Sequence, residues 1–265
     1  MSLFEKISLP EVKNIIVVAS GKGGVGKSTV SSNLAIGLAR QGLKVALVDA
    51  DIYGPSIPKM FGIEDEKPEV TANGDKEMMF PIEKFGVKIM SIGFFVAKNQ
   101  GLIWRGPMAA NAITQLFENT QWGEIDYMVV DFPPGTGDIQ LTTIQKIEVN
   151  GAVIVTTPQE IALNDARKAA SMFTNKDLNI PLIGIIENMS WFTPKMHPDE
   201  KYYIFGSNGG EKLANEVNST LLGQIPLVAE IGEAADNGFS IYNQTDKNVI
   251  LAFESITKKI IDFKE

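Results

Sequence analysis

Seven strongly apolar runs of strand length recur along the chain, at residues 14–19, 44–49, 87–92, 126–131, 152–157, 182–186 and 221–225. Apolar, β-branched runs of this length signal strands buried on both faces of a parallel sheet. Between them lie stretches with helical spacing. In 29–41, Val30, Leu34 and Leu38 share one face, and 108–117, 162–173, 209–217 and 248–263 also read as helices. Strands alternating with helices predict an α/β fold: three layers, with a mostly parallel sheet of about seven or eight strands and helices on both faces. Residues 1–13 read as a lead-in, and the charged 64–80, with its Asn73-Gly74 turn signal, as a surface excursion. At 265 residues the chain is expected to form one domain.

The junction between the first strand and first helix carries the chemistry. Gly21-Lys22-Gly23-Gly24-Val25-Gly26-Lys27-Ser28 fits G-x-x-x-x-G-K-[ST], and Thr29 follows directly. Gly23, Gly24 and Gly26 let backbone N–H groups converge where Cβ atoms would obstruct a phosphate. The helix that follows aims its positive dipole end at the same place. Lys27 adds a point charge for β- and γ-phosphates, and Ser28 a hydroxyl for Mg²⁺. Lys22 turns the motif into K-G-G-x-G-K-[ST]: a second cation able to meet charge developing in phosphoryl transfer.

Further candidates sit where strands end, the ligand edge of an open parallel sheet. Asp49-Ala50-Asp51 closes the second run, and Asp51 is the candidate that orients an attacking water or holds the magnesium shell. Asp131 closes 126–131 in the pattern of a Walker B carboxylate, binding Mg²⁺ directly or through water. Phe132-Pro133-Pro134-Gly135-Thr136-Gly137-Asp138 follows, and Gly135 can swing its N–H toward a γ-phosphate. Asn188 lies just past 182–186, where its amide suits either an adenine edge or a local turn. Arg105, before the helix at 108–117, receives no role.

Composition narrows the partners. With 24 basic and 32 acidic residues the formal charge is −8, a field that repels nucleic acid and anionic membrane. There is no signal-peptide pattern and no apolar run of spanning length, so a cytoplasmic protein is expected, with neither nucleic-acid nor membrane partners. The sequence contains no cysteine, which excludes disulfides, thiolate zinc sites and clusters held by this chain's own thiolates.

The lysine-bearing loop resembles that of the deviant Walker A ATPases, the group of ParA, MinD, the nitrogenase iron protein and the Mrp family. Over essentially the whole chain, GKGGVGKSTVSSNLA, LVDADIYGPSIP, WRGPM, VVDFPPGTGD, ENMSWF and IFGSNGGEKLA resemble the Mrp/ApbC family of iron–sulfur cluster carriers. That resemblance implies a slow, Mg²⁺-dependent ATPase acting as a homodimer, in which the lysine at position 22 reaches the partner's nucleotide. It also implies that Gly23 to Thr29 lie at the phosphates, Asp51 in a first switch and Asp131 in a second. Its implied partners are iron–sulfur apoproteins or a cluster-supplying protein. Two features depart from the family. Many members carry C-P-x-C between ENMS and IFG, where this chain has WFTPKMHPDEKYY, and Pro194, Lys195, Met196 and His197 do not replace two thiolates. Many also have a small domain before the P-loop, where this sequence has about a dozen residues, so it is either naturally short or part of a longer protein. Two other roles compete with cluster carriage: a ParA- or MinD-like positioning ATPase, and an adaptor that senses nucleotide by changing shape.

Overall fold

The structure is a computed structural model and describes residues 6–73, 76–96, 106–244 and 246–264. Arg105 and Gly74 fall outside the described residues. The chain begins with β1 (Val12–Ala19), α1 (Lys27–Arg40), β2 (Val45–Asp49) and the short α2 (Ile57–Met60). The charged excursion is a hairpin, β3 (Glu69–Asn73) with β4 (Lys76–Phe80), which pairs Val70 with Met79. Met79 also binds residues 119 and 121 through its backbone, which fastens the hairpin to the body. Then come β5 (Ile82–Lys84), β6 (Val87–Ser91), a 3₁₀ turn (Ile92–Phe94) and α3 (Gly106–Glu118). β7 (Ile125–Asp131), α4 (Asp138–Lys146), β8 (Gly151–Thr156), α5 (Glu160–Thr174), β9 (Leu182–Glu187), α6 (Gly209–Glu216) and β10 (Leu221–Gln224) follow. The chain closes with α7 (Ala229–Asn237), α8 (Ile241–Gln244) and α9 (Lys247–Ile261).

Eight strands form the main sheet in the order β10-β9-β8-β1-β7-β2-β6-β5. Seven are parallel, and β5 pairs antiparallel with β6 at the edge. The expected three-layer α/β architecture is therefore present. From β1 the chain crosses to β2 on one side; from β7 it steps through β8, β9 and β10 on the other. With right-handed crossovers these opposite directions put helices on opposite faces, and α1 packs with α9 while α3 packs with α4 and α5 with α6. Both faces being covered, Val17, Val18, Leu47, Val129, Ile154 and Ile185 are all fully buried, which is why these strands carry no apolar–polar alternation. The last helix lays Val249, Phe253, Ile256 and Ile260 into the core, and among the described residues no helix is long and apolar enough to cross a membrane.

Sheet register brings the chemistry to one edge. β2 and β7 pair Asp49 with Asp131, β2 and β6 pair Asp49 with Ser91, and β1 and β7 pair Val18 with Asp131. Strand order thus sets two carboxylates and a hydroxyl side by side at the strand ends where the glycine loop leaves β1.

Candidate nucleotide site

The glycine loop ends in Gly26, whose φ of 82° is left-handed and puts it at the N-cap of α1 without a side-chain cap. A Cβ there would also collide with the Asn188 amide. The first N–H groups of α1 therefore lack a side-chain acceptor and converge with the dipole on the loop's hollow, a ready anion site. At Gly23 an added Cβ would meet nothing within 4 Å, so the loop is open on its outer side.

Lys27 and Ser28 turn from the start of α1 toward Asp131. Lys27 Nζ lies 2.8 Å from Asp131 Oδ2 and 3.3 Å from Asp51 Oδ2. Ser28 Oγ donates to Asp131 Oδ2 at 2.6 Å, and Ser31 Oγ to Asp131 Oδ1 at 2.6 Å. Asp131 is wholly buried and Asp51 nearly so, yet Asp51 Oδ1 is a buried oxygen without a hydrogen-bond partner. Asp49, also fully buried, accepts the Ser91 hydroxyl at 2.8 Å and the N–H groups of Asp51 and Ile57 at 3.2 Å, pinning the 50–57 loop at both ends.

Three carboxylates around one ammonium set the electrostatics. Burial works against the Lys27 charge, but Asp131 and Asp51 outweigh it and hold its pKa above the usual lysine value. Burial, reinforced by Asp131 and opposed by Lys27, raises Asp51. Asp49 is pushed up to about 8, first by burial and then by Asp131, with Ser91 pulling the other way. The donor set of carboxylate and hydroxyl oxygens, with one buried oxygen unpartnered, suits a hard cation such as Mg²⁺. Among the described residues no three His, Cys, Asp or Glu side chains form a metal cage, so phosphate oxygens and water would complete the shell, as Mg²⁺ commonly requires.

The remaining sequence candidates fall around this quartet. Lys22, Gly23, Gly24, Gly26 and Thr29 line a cleft of about 200 Å³ with Lys27, Ser28 and Asp51. Val25 is buried under the loop and its carbonyl accepts the Asn188 Nδ2 at 2.9 Å, so Asn188 braces the loop from beneath. Gly21 backs onto α5, where a Cβ would collide with the backbone of Asp165 and Ala166. Gly135 has φ 95° and donates its N–H to the Ser20 carbonyl at 2.9 Å. Ser31 and Asp49 are partners that the motif reading did not single out. Ser31 stands four residues after Lys27, one helical turn on, and that spacing is the signal for it. Where C-P-x-C stands in many Mrp members, Phe192 and Tyr202 exchange backbone bonds at 2.9 and 2.8 Å to close a loop. In it Lys195 pairs with Glu230 and Met196 is 86% exposed.

A parallel sheet with a glycine loop, an uncapped helix start and a paired lysine and aspartate beneath it defines a P-loop nucleoside triphosphatase. Residues 11–261 match the family model described as ParA, NUBPL iron-transfer P-loop NTPase, and the chain belongs to that family. It is 47% identical over 258 residues to the iron–sulfur cluster carrier protein of Aquifex aeolicus, covering 97% of this chain and 69% of that protein. It is 50% identical over 227 residues to that of Escherichia coli, covering 86% of this chain and 60% of that protein. Among solved structures, a nucleotide-binding protein from Archaeoglobus fulgidus in complex with ADP superposes with a TM-score of 0.76 at 37% identity, over 89% of this chain and 90% of that one. The cell division ATPase MinD of Pyrococcus furiosus gives 0.66 at 23% identity, over 94% and 98%, a likeness of fold alone.

Proposed function

We propose that this chain is a Mg²⁺-dependent ATPase that works as a homodimer in iron–sulfur cluster transfer, with the cluster held by thiolates that it does not itself supply. The observation that carries the nucleotide half is the convergence of Lys27, Ser28 and Asp51 on Asp131 beneath an uncapped helix start. In this reading the loop N–H groups from Gly23 to Thr29 bind the phosphates, and Lys27 exchanges its carboxylate partners for phosphate oxygens. Ser28 and Asp131 would hold Mg²⁺, which would supply positive charge against the phosphates when bound. Asp51 orients the attacking water, Gly135 offers its N–H to the γ-phosphate, and Asn188 keeps its carbonyl oxygen for the adenine amino group.

Lys22 supports the dimer half. Its ammonium has no ion-pair partner among the described residues, while Lys27 has two. It lines the nucleotide cleft, and its uncommitted charge supports a role at the phosphates of a second copy. The cargo follows from relatives named iron–sulfur cluster carrier proteins, and the thiolate source from the absence of cysteine. The test is ATP hydrolysis against protein concentration for wild type and Lys22→Ala. Turnover per protomer should rise with concentration in the wild type and stay low in the variant; equal, concentration-independent rates would refute the dimer mechanism.

A further inference from the structure

Three consecutive residues at the start of the glycine loop make three unlike contacts. Ser20 has no exposed surface, accepts the Gly135 N–H on its carbonyl at 2.9 Å and donates its hydroxyl to the Lys22 carbonyl at 3.0 Å. Gly21 is pressed against the α5 backbone, so the turn cannot shift toward that helix. Lys22 follows, its ammonium unpaired among the described residues and its neighbours Gly23 and Gly24 unpacked. The loop at 132–137 is fastened independently: Gln140 Nε2 donates to the Pro133 and Pro134 carbonyls at 3.3 and 2.9 Å, and the Phe132 N–H to the Val18 carbonyl at 3.1 Å.

We propose that Ser20 is a positioning residue for ATP hydrolysis, its hydroxyl fixing the Lys22 peptide and its carbonyl tying that peptide to the Gly135 loop. A lysine ammonium sits at the end of four rotatable bonds, so its reach depends on where its own backbone is held. Lys27 is placed by two carboxylates; Lys22 has glycines on both sides and, among the described residues, no ion pair to hold it. The Ser20 hydroxyl is the side-chain bond that restrains it. The same residue accepts the N–H that the reaction needs at the γ-phosphate, so movement of Gly135 and placement of Lys22 meet at one buried serine. This role rests on the ATPase reading above and goes beyond it by naming what aims the second lysine.

The test uses the full chain and measures kcat and KM for ATP together with the equilibrium Kd for ADP. The proteins are wild type, Ser20→Ala, Ser20→Thr, Lys22→Ala and the double variant Ser20→Ala/Lys22→Ala. Loss of one neutral hydrogen bond felt in the transition state predicts a kcat roughly fivefold lower in Ser20→Ala, with ADP affinity changed by less than about twofold. Ser20→Thr keeps the hydroxyl and should recover most of the rate. Because Ser20 acts through Lys22, the double variant should be no slower than Lys22→Ala alone. An unchanged kcat in Ser20→Ala, a matching loss of ADP affinity, or multiplicative effects in the double variant would each overturn the proposal. If alanine leaves the buried site underpacked and lowers the melting temperature, Ser20→Cys, near in volume and a weak donor, should show the same loss of kcat, and full activity there would also overturn it. A wild type without turnover refutes the ATPase reading and this role with it, whereas normal wild-type turnover with an indifferent Ser20 refutes the role alone.

Discussion

Replacing Lys27 with methionine tests the electrostatic account of the site, because it keeps most of the buried stem and removes only the charge. In the wild type that ammonium, 6% exposed, lies 2.8 Å from Asp131 and 3.3 Å from Asp51, with Asp49 close enough to contribute. Without it three carboxylates face one another, and Asp131 keeps only the hydroxyls of Ser28 and Ser31. Breaking a buried pair by removing one partner costs about 3–5 kcal/mol. At about 2–4 °C per kcal/mol for a chain of this size, the melting temperature should fall by roughly 6–20 °C near pH 8 in nucleotide-free buffer. The pH dependence has a definite sign. Burial already holds Asp51 above the usual carboxylate range, and removing the cation that pulls it down raises it further above its unfolded value. A carboxylate so raised is protonated in both states at low pH and costs nothing there. As pH climbs past the unfolded value, the folded chain must either keep the proton or ionise without a partner, and stability is lost. The deficit against wild type should therefore be small near pH 4.5 and full near pH 8. Urea unfolding of both proteins across that range measures it. A deficit that is flat with pH, or absent at pH 8, would show that Lys27 does not neutralise this cluster.

Four further outcomes follow from named contacts. Asp49, pushed up to about 8 from the ordinary aspartate value of 3.8, makes wild type lose stability as pH rises between those values, so Asp49→Asn should gain on wild type from about pH 4 to 8 and level off above, as read by thermal melts. Asn188→Ala removes the brace on Val25 and should weaken ADP binding by about fivefold in calorimetry while leaving the fold intact. Gly21→Ala drives a Cβ into the α5 backbone and should cost about 1–3 kcal/mol, whereas Gly23→Ala enters open space and should stay within about 0.5 kcal/mol by urea titration. Anaerobic reconstitution of the cysteine-free chain with iron and sulfide, desalted and counted for iron, should leave the protein without a cluster; stoichiometric iron with a cluster charge-transfer band would refute a thiolate supply from elsewhere.

What the sequence disclosed was governed by how local each signal is. The buried parallel strands were legible because strands covered on both faces need unbroken apolar runs, and the observed β1, β2, β6, β7, β8, β9 and β10 each lie within a residue or two of the expected run. The glycine loop was legible because phosphate binding constrains consecutive residues. α4 was not read: Asp138 to Lys146 has a polar majority with two threonines, and its burial comes from packing on α3, a contact no local pattern reveals. The 64–80 excursion hid its strands for a related reason, since Val70 is half exposed and the hairpin is fastened through backbone bonds to residues 119 and 121. The same distinction runs through the site. A motif names Lys27, Ser28 and Asp131, but it cannot say that Asp49 and Ser91, 42 residues apart, stand in register on neighbouring strands and bond at 2.8 Å. Nor can it say that Asn188 reaches 163 residues back to Val25. These partners come from strand order, and strand order is set by which crossover closes the core, so groups that hold a functional loop in place leave fainter marks in a sequence than those that face the phosphate.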